Sequence, residues 1–393
     1  MMKILMTIPA IGSVYGGPSK SVLELAKRVA KQGVTVDLVT TTANGETELD
    51  VRKCQWIEHD DLNIQYFPYI SWGDYKFSFS LTKWLDKNIK NYDIIHSNAV
   101  FSLPNIPVYW ACQKQNVPYI ITPRGMLEPW ALSYKAYKKK LFYYLLEKPA
   151  INKASGIQVL ATSEKNNIQA LNLKPPLFLI PNGIYAEDFI SLPSTSLFLE
   201  KFPETKNRQL ILFLGRIDPK KGLDLLAPAF AKINQQFPDT HLVIAGPDNV
   251  GYLPTVKNYF QELGCLDQVT FTGMLTGEMK YSALASASIY IAPSYSEGFS
   301  MSILEGMASG LPCIFTTACN FPEAKEAQAA KVVEVNVEEI TEALSLCLSH
   351  PQEAKEMGLR AREFILNNYT WDKIAGSLIS VYQEIISKKN QNV

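Results

Sequence analysis

With 393 residues, 47% apolar and 19% charged, the chain can bury a large core, and its length points to two domains rather than one. Lysine plus arginine balances aspartate plus glutamate at 38 each, which excludes a surface built as a whole to hold nucleic acid. Six scattered cysteines without a Cys-x-x-Cys pair, and four histidines off ligand spacing, signal neither a zinc site nor a disulfide framework and fit a reducing compartment.

The apolar stretch that opens the chain is too short for a signal peptide and reads as a first buried strand. No apolar run approaches the ~20 residues that span a bilayer. The expected location is cytoplasmic, either free in solution or resting on the inner face of a membrane.

Lys3–Ile8 reads as that first strand, followed by a glycine-rich loop containing Gly16 and Gly17. An amphipathic helix with Val22, Leu25, Ala26 and Val29 on one face comes next, then the apolar run Val34–Val39. Strand, loop, helix and strand open a parallel, doubly wound sheet. The loop lacks the Gly-x-Gly-x-x-Gly spacing, so a nicotinamide cofactor is unsupported. Gly16 and Gly17 permit close approach of backbone to a ligand, or form a flexible turn.

The short apolar runs Ile64–Phe67, Asp93–His96, Tyr119–Thr122, Gly156–Leu160 and Leu177–Ile180 continue the sheet. His96 and Arg124 stand at the ends of two of them, the edge of a parallel sheet where ligands bind. A histidine there can take a proton or bind a hydroxyl, or can be tied to a loop carbonyl. Between Tyr134 and Lys148 lysines and aromatics interleave along a helical stretch. Such a helix either rests on an anionic membrane face or sends its aromatics into the core.

Pro181, Asn182 and Gly183 signal a turn, and Ser191–Asn207 loses periodicity, which places a linker at 191–208 after a first domain at 1–190. A second α/β domain is expected over 209–370. It opens with the strand Gln209–Leu214 and the loop Gly215–Gly222, which carries Arg216, Lys220 and Lys221. Arginine grips a pyrophosphate in a bidentate way and lysine acts as a point charge. His241–Gly246, Val269–Gly273, Ile289–Ala292 and Pro312–Phe315 continue the second sheet.

After Ile289–Ala292 come a turn bearing Glu297 and a helix bearing Glu305. The free N–H groups of a helix start suit a phosphate, and a carboxylate further in suits a ribose diol. The plainer alternative makes Ser302 and Glu305 a capping box and Glu297 a turn acid. A final amphipathic helix runs from about Trp371 to Ile386 within the last segment, 371–393.

In order along nearly the whole chain stand Gly16-Gly17, Pro181-Asn182-Gly183, Gly215-Arg216 with Lys221-Gly222, Ala245-Gly246, Glu297-Gly298-Phe299 with Glu305, Gly310-Leu311-Pro312, and Tyr369 two residues before Trp371. This set resembles the retaining glycosyltransferase family 4, group 1. The resemblance implies a GT-B fold, two Rossmann-like doubly wound domains facing a central cleft, with the last helix crossing back onto the first domain.

It further implies transfer of a sugar from a nucleoside diphosphate to a glycan or lipid-linked acceptor in polysaccharide or cell-surface glycan biosynthesis. Arg216 and Lys221 would bind the diphosphate and stabilise it as it leaves. Glu297 would contact a donor-sugar hydroxyl and Glu305 the ribose. The backbone at Gly298, Phe299 and Ser300 would meet the phosphates, Gly16 and Gly17 would close over the donor, and Gly215 and Gly246 would line its pocket.

The family needs no metal or other cofactor, in keeping with the absence of Asp-x-Asp, and is thought to retain configuration by front-face attack. Contact with an anionic membrane through 134–148 is one of the two readings of that stretch, and nucleic acid is not expected as a partner. One departure stands out: where many members carry a histidine before glycine, this chain has Arg124, which cannot accept a proton but can grip an anion. The rival readings are another GT-B enzyme, either a sugar-nucleotide epimerase or a phosphorylase, and a nucleotide-sugar-binding protein without activity.

Overall fold

The structure is a computed structural model that describes residues 2–72, 75–128 and 141–391. The chain divides into two compact units, Met1–Gly183 with Trp371–Val393, and Ile184–Thr370.

The first unit is built on an eight-stranded sheet. Its order is Leu177–Leu179, Gly156–Val159, Tyr119–Thr122, Ile94–Asn98, Lys3–Ala10, Thr35–Thr41, Leu62–Phe67 and Trp56–His59. Every neighbour pair is parallel except the last, where Trp56–His59 runs antiparallel to Leu62–Phe67. The chain winds outward from Lys3–Ala10 first in one direction and then in the other. The gap between the ends of Lys3–Ala10 and Ile94–Asn98 is therefore a topological switch point, where open α/β sheets bind ligands.

The closing helix Trp371–Gln391 belongs to this unit and buries Trp371, Ile374, Ala375, Leu378, Tyr382 and Ile385 along one face. It packs against the helix Gly17–Lys31, where Arg28 Nη2 meets Asp372 Oδ2 at 2.6 Å.

The second unit carries a six-stranded parallel sheet in the order Val269–Gly273, Thr240–Ala245, Gln209–Leu214, Ile289–Ala292, Cys313–Thr316 and Lys331–Val333. Numbered along the unit this is 3-2-1-4-5-6, the doubly wound order. Alternation explains why these runs are apolar throughout. Leu210, Leu212, Leu214, Tyr290, Ala292 and Phe315 enter the core on one face, while Ile211, Phe213, Ile289, Ile291 and Ile314 enter the core on the other. Each buried leucine, isoleucine or phenylalanine among them contributes ~1.5–3 kcal/mol by leaving water.

One expectation about the domains is corrected. The stretch expected as a linker, 191–208, together with 184–190, belongs to the second unit. Phe189 and Phe198 are buried in its core, and the Phe198 N–H donates to Ser282 Oγ at 3.0 Å. Proline and serine hide these anchors in the sequence because the apolar residues are too sparse to show a period. The edge strands Trp56–His59 and Lys331–Val333 went unread, being short and partly exposed.

Of the lysine-aromatic stretch, Tyr134–Lys140 lies outside the described residues. The remainder forms a π-helical turn, Tyr143–Glu147, running into Lys148–Ile151. Tyr143 and Glu147 point into the core, while Leu141, Tyr144 and Leu145 are exposed.

Candidate active site

The switch point of the second sheet lies between the ends of Gln209–Leu214 and Ile289–Ala292, and the loops that leave these two strands carry most of the singled-out residues. In the first loop the Asp218 side chain accepts from the Lys220 N–H at 3.1 Å and starts the 3₁₀ turn Pro219–Lys221. Gly222 follows with φ 70°, and a Cβ there would lie 1.9 Å from the Pro293 carbonyl oxygen. Glycine is needed on both counts. Lys220 and Lys221 are thereby held between the strand end and the helix Leu223–Gln236.

The second loop is stitched to the first. The Tyr295 N–H donates to the Lys220 carbonyl at 2.8 Å, and Tyr295 Oη donates to Asp224 Oδ2 at 2.7 Å. Lys221 Nζ donates to Glu297 Oε1, which also accepts the Ser294 hydroxyl at 2.9 Å. The Glu297 backbone is fixed at both ends, its N–H donating to Ala318 O at 3.0 Å and its carbonyl accepting from Asn320 Nδ2 at 2.5 Å.

Arg216 is exposed at the start of the first loop. Burial draws the Lys220 ammonium below its ordinary pKa, opposed by the Glu297 charge and reinforced by Lys221 and Arg216. Lys220 therefore feels the cations Arg216 and Lys221 and the carboxylates Glu297 and Asp218. An additional anion would relieve the repulsion among the cations.

Gly215 and Gly246 end adjacent strands, and a Cβ on Gly246 would fall 1.7 Å from the Gly215 carbonyl oxygen. Gly246 thus lets two strand ends meet directly beneath Arg216. Phe299 stacks on Tyr369, centroids 6.0 Å apart, and meets Phe321 edge-on at 5.4 Å, so its ring anchors the loop to the core.

Ser300 is the N-cap of the helix Met301–Ala308, without a side-chain cap. The capping-box alternative fails here. Ser302 lies inside the helix and accepts from the Tyr290 hydroxyl at 2.8 Å, while Glu305 pairs with Lys280 Nζ at 2.7 Å. Both charges of this second pair are largely covered, each side chain 14% exposed. Lys280 sits on the helix Gly277–Ser286, and no motif pointed to it; nor did any to Ser294 or Asn320.

In the first unit Gly16 caps the helix Gly17–Lys31 with φ 69°, and Gly16 and Gly17 are exposed with open space where side chains would stand. His96 is wholly buried. Its Nδ1 meets Tyr382 Oη at 2.5 Å and its Nε2 meets Thr122 Oγ1 at 2.6 Å, and burial lowers its pKa to about 3. Both ring nitrogens thus meet hydroxyls, one on the closing helix and one on a neighbouring strand, rather than a loop carbonyl, and His96 lies within the strand Ile94–Asn98 rather than past its end. Arg124 is partly covered and bonds Asn98 and Ser21.

Two family models divide the chain: Glycosyltransferase Family 4 matches residues 15–188, and Glycosyl transferases group 1 matches residues 196–364. The chain belongs to glycosyltransferase family 4, group 1.

Among curated proteins, this family 4 chain is 24% identical over 396 residues to a phosphatidyl-myo-inositol mannosyltransferase of Mycobacterium leprae, covering 98% of the chain and 97% of the relative. It is 27% identical over 201 residues to a GDP-mannose-dependent alpha-(1-6)-phosphatidylinositol monomannoside mannosyltransferase of Mycolicibacterium smegmatis, covering 49% of the chain and 52% of the relative. The chain spans about half the length of several such relatives.

Among solved structures, a sucrose-phosphate synthase of Thermosynechococcus elongatus superposes with a TM-score of 0.77 at 21% identity, over 99% of this chain and all of the other. HepE of Anabaena, solved with UDP and glucose, gives 0.78 at 17% identity over 98% of this chain and all of the other. These likenesses show the GT-B fold.

Proposed function

We propose that the protein is a retaining, metal-independent glycosyltransferase that moves a sugar from a nucleoside diphosphate to a glycan or lipid-linked acceptor. The observation that carries this is the clustering of Arg216, Lys220, Lys221 and Glu297 at the switch point of the second sheet.

As the bond from the sugar carbon to the diphosphate oxygen breaks, negative charge grows on that oxygen, and fixed cations lower its cost. Three cations can neutralise the diphosphate without an ion. Glu297, held by Lys221 and Ser294, is posed to accept from a sugar hydroxyl rather than to attack carbon. The incoming acceptor hydroxyl would pass its proton to the departing phosphate on the same face of the sugar. Glu305 would exchange part of its bond to Lys280 for the ribose hydroxyls.

The mannosyltransferase relatives named above act on phosphatidylinositol derivatives, which supports a lipid-linked acceptor here. No helix among the described residues is long and apolar enough to cross a membrane. The exposed Leu141, Tyr144 and Leu145 support peripheral contact instead.

Incubation with UDP-, GDP- and ADP-sugars, following release of the diphosphate, tests the reading. Turnover that Arg216→Ala removes supports it. Absence of release from every donor, with and without lipid acceptors, overturns it.

A further inference from the structure

Arg124 closes the strand Tyr119–Thr122 beside the switch point of the first sheet, and its backbone is held in the left-handed region at φ 55°. That conformation costs a non-glycine residue on the order of 1–3 kcal/mol, and such strain collects at functional positions. The guanidinium is fixed from two sides. Its Nε and Nη2 donate to Asn98 Oδ1 at 3.0 and 2.8 Å, and its Nη1 donates to Ser21 Oγ at 2.9 Å. Asn98 and Ser21 are themselves buried, and Asn98 is anchored by a bond from its Nδ2 to the Thr7 carbonyl at 3.3 Å.

These partners are an amide oxygen and a hydroxyl, so they orient the cation without neutralising it. Glu164 offsets part of its charge through space but makes no bond to it, its two oxygens accepting from the N–H groups of Gly125 at 2.7 Å and Leu160 at 2.6 Å. No carboxylate among the described residues pairs with Arg124. Burial lowers its pKa to about 10, so it stays charged at neutral pH. A guanidinium carries five N–H donors, and two remain here after the three bonds described.

The helix Gly17–Lys31, to which Ser21 belongs, starts without a side-chain cap and has no acid in its first turn. A helix start of that kind also favours negative charge.

We propose that this is an anion site and that the acceptor carries a phosphate or carboxylate, which Arg124 binds through its two remaining N–H groups. The inference rests on the transferase reading, in which the second unit supplies its own cations to the donor and leaves Arg124 for the other substrate.

The test uses the full chain saturated with the nucleoside diphosphate it binds best, titrated calorimetrically with glycerol 3-phosphate, glucuronate and methyl glucoside. The wild type is expected to take at least one anionic probe ten-fold or more tightly than the neutral one. Preference for glycerol 3-phosphate points to a phosphate-bearing acceptor, and preference for glucuronate to an acidic sugar. Arg124→Gln should erase the preference, and Arg124→Lys should weaken it, because a point charge replaces a fork.

Diphosphate affinity, read on each variant, reports that the fold is intact. If both variants lose it through misfolding, the wild-type preference and its weakening by salt decide. Equal or absent binding of all three probes, or a preference that persists in Arg124→Gln, overturns the inference while leaving donor binding in place. Failure of every diphosphate to bind would instead strike the transferase reading.

Discussion

Glu297 Oε1 accepts from both Lys221 Nζ and Ser294 Oγ, joining the loops that follow the first and fourth strands of the second sheet. The lysine and the glutamate are 76 positions apart in the chain. Parallel strand order alone brings them together, and their pairing distinguishes two mutations that sequence would treat alike.

Arg216→Ala removes an exposed cation and should leave stability within ~0.5 kcal/mol. Lys221→Ala leaves Glu297 with one side-chain hydrogen bond, from Ser294, in a place where its side chain is only 11% exposed, and should cost ~1–3 kcal/mol. Urea denaturation of both variants checks the difference. Turnover should fall on the order of 10²–10³ in each, as with a lost oxyanion donor.

Gly246→Ala should act at a distance. The added methyl meets the Gly215 carbonyl oxygen and must push apart the two strand ends under Arg216. Stability is expected to fall by ~1–3 kcal/mol, as for an overpacked core, with weakened diphosphate binding. A variant as stable and as tight-binding as the wild type would show that this approach can be relaxed.

His96 gives a pH dependence. Its folded pKa, lowered to about 3 by burial and by the Arg124 charge, lies below the ordinary ~6.5 of an unfolded histidine, so the unfolded state binds the proton first. The stability this group contributes is whole above pH ~6.5 and is lost as pH falls toward 3, at up to ~1.4 kcal/mol per pH unit. Denaturation between pH 4 and 8, compared with His96→Asn, should show a steeper acid loss in the wild type. Parallel curves would contradict the assignment.

Trp371 is the largest fully buried side chain among the described residues and begins the closing helix. Trp371→Ala should cost ~3–5 kcal/mol. The measurement is thermal unfolding, and the loss should fall on the first unit, to which the helix belongs.

Much of this was legible in the sequence. The strands of both sheets show as apolar runs because parallel strands are covered on both faces, and the glycines of the strand-end loops mark where backbone must turn or meet. What escaped reading depends on distance in three dimensions. Lys280 lies 25 residues before Glu305 on a helix with no motif, and Ser294 looks like any turn serine. His96 and Arg124 read alike as strand-end residues, but His96 lies inside the strand Ile94–Asn98 with both ring nitrogens filled, whereas Arg124 follows the strand Tyr119–Thr122 and keeps donors to spare. Phe189 and Phe198 looked like parts of a linker because a core anchor needs no periodicity.

The central claim is that the cations and carboxylate at the switch point of the second sheet hold a nucleoside diphosphate. The most direct measurement is a thermal-shift comparison of the wild type and Lys221→Ala with UDP, GDP and ADP. A ligand that binds only the folded state adds ~2.7 kcal/mol at one hundred times its dissociation constant, which raises Tm by several degrees. The account predicts such a rise with at least one of the three diphosphates in the wild type and little or none in the variant. No rise with any of them, or an equal rise in both proteins, would contradict it.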